Sequence, residues 1–275
     1  MYGVDEKQLK EQEERLKQKM TRVKHAFIVM SGKGGVGKTS VAVNLAYALS
    51  QTGKEVGILD VDIHGPNIAM MLGVQKESLY NVGAGIQPVE VTPHLKAVSL
   101  ALTGYESDRP VIWRGPMKAA VIRQFLSDVN WGDLDYLIVD SPPGTGDEPL
   151  SVCQHIPNIS GAVIVTTPQD VAVLDARKSV QFAKELKIPI AGVIENMSGY
   201  ACPHCGKEAP LFKVGGGERA AQELGVPFLG RIPFDPELVE LSDAGKPFVS
   251  FSAGSPSVRA FKEIVAAIER FALPV

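Results

Sequence analysis

Short, nearly unbroken apolar runs alternate along this chain with longer stretches in which apolar residues recur every three or four positions. The runs 26–31, 55–60, 135–140, 161–167, 190–195 and 228–232 are rich in Val, Ile and Leu, the composition of strands covered on both faces. Between them, 38–51, 116–128, 170–186, 216–224 and 257–271 carry helical spacing. The alternation predicts an α/β fold, a mostly parallel β-sheet with helices on both faces. Residues 85–101, interrupted by Pro88 and Pro93, predict short extended pieces and an inserted hairpin. Ahead of the first strand, 5–24 reads as a charged helix with Leu9, Leu16 and Val23 seven apart and Met20 on the same side. So thin a stripe suits a surface helix or an arm docked on the body better than a coiled coil. No Gly-, Ser- or Pro-rich linker divides the remainder, so the expected organisation is an arm at 1–24 and a single domain at 25–275.

At 275 residues, with 45% hydrophobic and 21% charged positions, the chain can build a sizeable core. A net charge of −3 argues against a basic face for nucleic acid or lipid. No apolar run approaches the roughly 20 residues of a bilayer span, and the Lys/Glu/Gln-rich first 24 residues do not read as a secretory signal. Neither nucleic acid nor membrane is therefore an expected partner. Three cysteines, two of them spaced C-x-x-C, are too few for a disulfide framework and suit a reducing cytoplasm.

The densest signal follows the first apolar strand. Gly32-Lys33-Gly34-Gly35-Val36-Gly37-Lys38-Thr39 satisfies G-x-x-x-x-G-K-[ST], the phosphate loop between a strand and a helix. Its glycines let backbone N–H groups curl around phosphate oxygens, and the start of the helix adds its positive end. Lys38 is placed to reach the β- and γ-phosphates, and the Thr39 hydroxyl, followed by Ser40, to sit on Mg²⁺. Lys33 gives the K-G-G-x-G-K-T variant called the deviant Walker A.

Two further strands end in acids. Ile58-Leu59-Asp60-Val61-Asp62 precedes His64-Gly65-Pro66-Asn67; Asp62 is a candidate to orient or deprotonate an attacking water and Asp60 to help hold the Mg²⁺ shell. Leu137-Ile138-Val139-Asp140 has the Walker B form, which makes Asp140 a magnesium candidate, and the loop after it puts the Gly144 amide where it could sense a γ-phosphate. Asn196, at the end of a strand, could pair with an adenine edge, with Ile232-Pro233-Phe234-Asp235 beside the ring. Nothing resembles the N-K-x-D guanine signature, so ATP is the expected nucleotide.

Cys202-Pro-His204-Cys205-Gly206 leaves three readings open. A thioredoxin-like dithiol would want the pair at a helix N-terminus. Half of a zinc knuckle would want a second pair in the same chain. One pair from each of two subunits would assemble four thiolates for a shared 4Fe–4S cluster or for zinc. Cys153 reads as a packed helix residue.

Taken together, G-K-G-G-V-G-K-T-S, D-V-D-I-H-G-P-N, V-D-S-P-P-G-T-G-D-E, E-N-M-S and C-P-H-C-G resemble the Mrp/ApbC family of iron–sulfur cluster carrier ATPases, from about residue 24 onward and in family order. The resemblance implies a P-loop NTPase fold like that of MinD and the nitrogenase iron protein. It implies a homodimer that binds and hydrolyses ATP, holds a 4Fe–4S cluster on Cys202 and Cys205 between subunits, and serves apo iron–sulfur proteins and cluster scaffold proteins. Lys33 would act across the interface, and Asp62 near the attacking water. The resemblance departs at its N-terminal side, where the charged arm at 1–24 stands in place of the four-cysteine segment of eukaryotic cytosolic relatives or the small domain preceding the ATPase in many bacterial members, so a second, stable cluster is not expected. The rival readings are a MinD/ParA-type positioning ATPase and a zinc-stapled, ATP-dependent scaffold.

Overall fold

A computed structural model describes residues 6–63, 65–83, 85–104, 115–201, 205, 207–252 and 254–273. In chain order the elements are α1 (Glu6–Met20), β1 (Val23–Met30), α2 (Lys38–Gln51), β2 (Val56–Asp60), α3 (Ile68–Met71), β3 (Tyr80–Val82), β4 (Gly85–Gln87), β5 (Val89–Thr92) and β6 (Leu95–Val98). They continue with α4 (Gly115–Asp128), β7 (Leu134–Asp140), α5 (Asp147–His155), β8 (Ile159–Thr166), α6 (Asp170–Glu185), β9 (Ile190–Ala201) and β10 (Glu208–Ala209). The last are α7 (Gly216–Leu224), β11 (Phe228–Phe234), α8 (Pro236–Asp243), α9 (Phe248–Phe251) and α10 (Pro256–Ala272).

Eight strands lie in the order β11–β9–β8–β1–β7–β2–β6–β5, parallel throughout except for β5 against β6. Each strand sends alternate side chains to opposite faces. Phe27, Val29, Ile58 and Ile138 join one apolar layer with Leu45 and Leu49 of α2 and Phe261 and Ile268 of α10. Ala26, Ile28, Leu59 and Leu137 join the other, with Ile122 and Leu126 of α4, Val152 of α5 and Val180 of α6. Burial on both faces is why these strands read as continuous apolar runs. The carboxyl end of β1 opens between β7 and β8, where ligand crevices form in such sheets.

The expected strands and helices are present with ends shifted by a residue or two, apart from β1, which opens three residues early at Val23, and β9. That strand runs six residues beyond 195 because its tail leaves β8 and pairs with β11, Ile232 against Asn196 and Phe234 against Tyr200. Within 85–101 the hairpin is β5–β6, and β6 joins the main sheet parallel to β2; β4 pairs instead with β3, outside that sheet. The arm ends at Met20, and Val23 opens β1. Leu16 and Met20 are buried in the second layer, Gln12 Nε2 donates to Ser127 Oγ at 3.3 Å, and Lys19 Nζ donates to the Val129 carbonyl at 2.8 Å and to Asn130 Oδ1 at 2.9 Å. Among the described residues no helix is long and apolar enough to cross a membrane.

Candidate functional site

From Met30 the chain passes through the glycine loop into α2, whose first residue is Lys38. The loop is clamped from two sides. Gly37 has φ 81°, and a Cβ there would lie 2.2 Å from Asn196 Nδ2; only glycine meets both demands. A Cβ on Gly32 would fall 2.2 Å from the backbone carbonyl of Asp175 in α6. Asn196, buried on β9, donates through Nδ2 to the Val36 carbonyl at 2.9 Å, so one of its N–H groups is committed to supporting the loop.

Lys38, Thr39 and Asp140 come together although 101 residues separate the last two. Lys38 Nζ donates to Asp140 Oδ1 at 2.5 Å and Thr39 Oγ1 donates to Oδ2 at 2.6 Å. Parallel register between β2 and β7 sets Asp60 beside Asp140. Asp60 is buried; its carboxylate accepts from the amides of Asp62 at 3.1 Å and Ile68 at 3.4 Å, and from the Ser99 hydroxyl at 3.1 Å. Burial first, then the Asp140 charge, push the Asp60 carboxyl well above the usual carboxylate range, against the opposing pull of Lys38. One expectation is corrected here. The Gly144 amide does not face the crevice; it donates to the Ser31 carbonyl at 2.7 Å. The loop after Asp140 is stitched to β1, with the Ser141 hydroxyl also given to the Val29 carbonyl at 2.9 Å.

A cavity of about 520 Å³ opens over the loop, within the range of small-molecule sites. Lys33, Gly34, Gly35, Lys38, Thr39, Ser40 and Asp62 are among its lining residues. Asn196, Met197, Pro233, Phe234 and Asp235 line it too, with Leu238 and Val239 of α8. Ile232, expected on this wall, is buried in the core instead, because side chains alternate along β11. Lys33 lines the cavity of its own chain, and Val36 is buried, offering backbone only.

Glu195 was not legible as a site residue. It is fully buried and accepts from Ser198 Oγ at 2.5 Å, from the Gly215 amide at 2.8 Å and from the Gly217 amide at 2.5 Å, with Arg231 Nε 3.9 Å away. It thereby ties the N-terminal end of α7 to β9, as a carboxylate suits a helix start. Its sequence signals are its place at the head of E-N-M-S and an acid at the end of an apolar run. Cys205 is exposed with a free thiol; Cys202, His204, Gly206 and His64 lie outside the described residues. Cys205 stands in the segment joining antiparallel β9 and β10, not at a helix start, which disfavours the dithiol reading. Cys153 is half-buried on α5 as expected, and burial pushes its thiol up to about 12.

A strand running through a glycine loop into a helix, beside a strand ending in an acid that engages the loop's lysine and threonine, defines a P-loop NTPase. The sequence profile of ParA, described as NUBPL iron-transfer P-loop NTPase, matches residues 22–269, and the chain belongs to that family. It is 52% identical over 259 residues to an iron-sulfur cluster carrier protein of Methanocaldococcus jannaschii, covering 94% of this chain and 89% of the relative. With the protein of that name from Saccharolobus solfataricus the identity is 47% over 250 residues, 91% and 84% of the two chains. A solved nucleotide-binding protein of Archaeoglobus fulgidus in complex with ADP superposes with TM-score 0.76 at 37% identity, covering 86% of this chain and 92% of that one. The MinD cell division protein of Aquifex aeolicus shares the fold, with TM-score 0.66 at 22% identity and coverage of 91% and 99%.

Proposed function

We propose that this chain is an ATP-driven carrier of iron–sulfur clusters. In this reading it forms a homodimer, takes a 4Fe–4S cluster from scaffold proteins onto Cys202 and Cys205 of both protomers, and delivers it to apo-proteins in a reducing cytoplasm. The observation that carries the reading is the strand β9: it supports the phosphate loop through Asn196 and runs on into the segment bearing the exposed Cys205. Relatives covering nearly the whole chain bear the name of cluster carriers, which favours iron–sulfur cargo over zinc.

The amides of Gly32–Ser40 and the Lys38 ammonium bind the β- and γ-phosphates, and Lys33 of one protomer reaches the nucleotide of its partner. Phosphate draws Lys38 from Asp140; Thr39 and Asp140 are then the oxygen donors suited to Mg²⁺, a hard cation that supplies charge neutralisation at the phosphates. Asp60 serves that shell from behind, holding the Asp62 amide and standing beside Asp140. Asp62 orients the attacking water, and the remaining amide atoms of Asn196 meet the adenine edge. A membrane-positioning role is disfavoured by α10, whose Val258, Phe261, Ile264, Val265 and Ile268 are buried rather than offered to lipid.

Anaerobic reconstitution followed by native mass spectrometry tests the reading by counting iron, sulfide and subunits in one species. One 4Fe–4S cluster per dimer is expected, lost in Cys202→Ala and in Cys205→Ala. A complete cluster on a monomer, a full cluster in either variant, or zinc alone at the thiols would overturn it.

A further inference from the structure

One aromatic ring holds both ends of the segment that bears Cys205. Tyr200, near the end of β9, and Phe212, just beyond β10, each meet Phe234 edge to face, with centroids 6.1 Å apart in both pairs and planes inclined by 64° and 75°. Backbone pairing of Tyr200 with Ala209 closes the base of the hairpin between them. Phe234 itself ends β11 in register with Tyr200 and forms part of the cavity wall. The route also bends sharply: Met197, another wall residue, has φ 55°, and Gly199 has φ 75°. Met197 is thus a side-chain-bearing residue in the left-handed region, the kind of conformation that collects at clamps and switches.

We infer that Tyr200, Phe212 and Phe234 are positioning residues that carry occupancy of the nucleotide cavity to the Cys205 thiol. The inference rests on the nucleotide reading proposed above and is independent of which cargo the thiols carry. Edge-to-face rings hold a preferred mutual orientation. A ligand that moves Phe234 must therefore move Tyr200 and Phe212 with it or break both contacts. Either response changes the setting of the thiol between them, and coupling between two such sites amounts commonly to about 5–150-fold.

The test uses the full-length, metal-free protein and follows alkylation of Cys205 by N-ethylmaleimide at pH 8 with peptide mass spectrometry. Cys153 stays silent because burial pushes its thiol up to about 12. Saturating ADP is expected to change the Cys205 rate by about fivefold or more. Phe212→Ala should reduce that effect to below about twofold, Phe212→Tyr should preserve it, and calorimetric ADP affinity should be the same in all three proteins, since Phe212 is not part of the cavity wall. Phe212→Ala retaining the full effect, or losing ADP affinity, would overturn the inference. ADP bound to the wild type without any change in rate overturns it alone; no ADP binding overturns it together with the nucleotide reading.

Discussion

Gly32 and Gly34 stand two residues apart in the phosphate loop but in very different surroundings, so alanine should treat them differently. A Cβ on Gly32 would stand 2.2 Å from both the carbonyl carbon and oxygen of Asp175 and 2.6 Å from its Cβ. Carbon contacts become favourable only at about 3.5 Å, so the loop or α6 must retreat by more than an ångström. The obstacle is backbone inside a helix, which has no rotamer to offer, and the cost belongs at the upper end of overpacking, about 3 kcal/mol. For a domain of this size that lowers Tm by roughly 6–12 °C. A displacement of about 1 Å at a reacting group also costs on the order of 100-fold in rate, so ATP hydrolysis should fall with stability. Gly34 has no atom within 4 Å of its would-be Cβ, and Gly34→Ala should stay within about 0.5 kcal/mol of the parent. Differential scanning calorimetry of the three proteins decides the matter. Equal melting of Gly32→Ala and parent, or an equal fall in both variants, would refute the packing argument.

Two other outcomes are expected. Asp62→Asn should slow hydrolysis by about 100-fold or more, the usual scale for losing a general base, with ATP affinity little changed by calorimetry; equal losses in both would remove Asp62 from the catalytic step. Cys153 has its thiol raised from 9.0 to about 12 by burial, so the neutral form is favoured in the folded state. Its reaction with DTNB at pH 8 should be about 1,000-fold slower than that of an ordinary thiol and rise tenfold per pH unit. The same shift makes the fold lose stability as pH climbs from the unfolded value toward 12. Rapid labelling of Cys153 at pH 8 would contradict its burial on α5.

What the sequence disclosed depended on how local the cause was. β1, β2, β7 and β8 were legible because their central stretches are covered on both faces and read as apolar runs. The phosphate loop was legible because its glycine pattern is a backbone requirement written in consecutive residues. The tail of β9 was not, because Asn196-Met-Ser-Gly has poor strand character and is extended by pairing with β11. Nor was α8, whose Pro236–Asp243 buries no residue and contributes Leu238, Val239, Ser242 and Asp243 to the cavity lining. Gly144 was misjudged and the tie from Glu195 to α7 was missed for one reason: Ser31 lies more than 100 residues from Gly144 and Gly215 lies 20 residues from Glu195, and no spacing rule reaches that far.

The arm α1 has a practical consequence for anyone cutting this gene. The family match begins at residue 22, which invites a start codon there. Yet Leu16 and Met20 are buried in the same apolar layer as Ile28, Phe125 and Leu137, and Lys19 caps the carbonyl of Val129 at the foot of α4. A version beginning at residue 22 would uncover oily surface beneath the sheet and leave that carbonyl to water. The edge of the family match is not where the folded object begins.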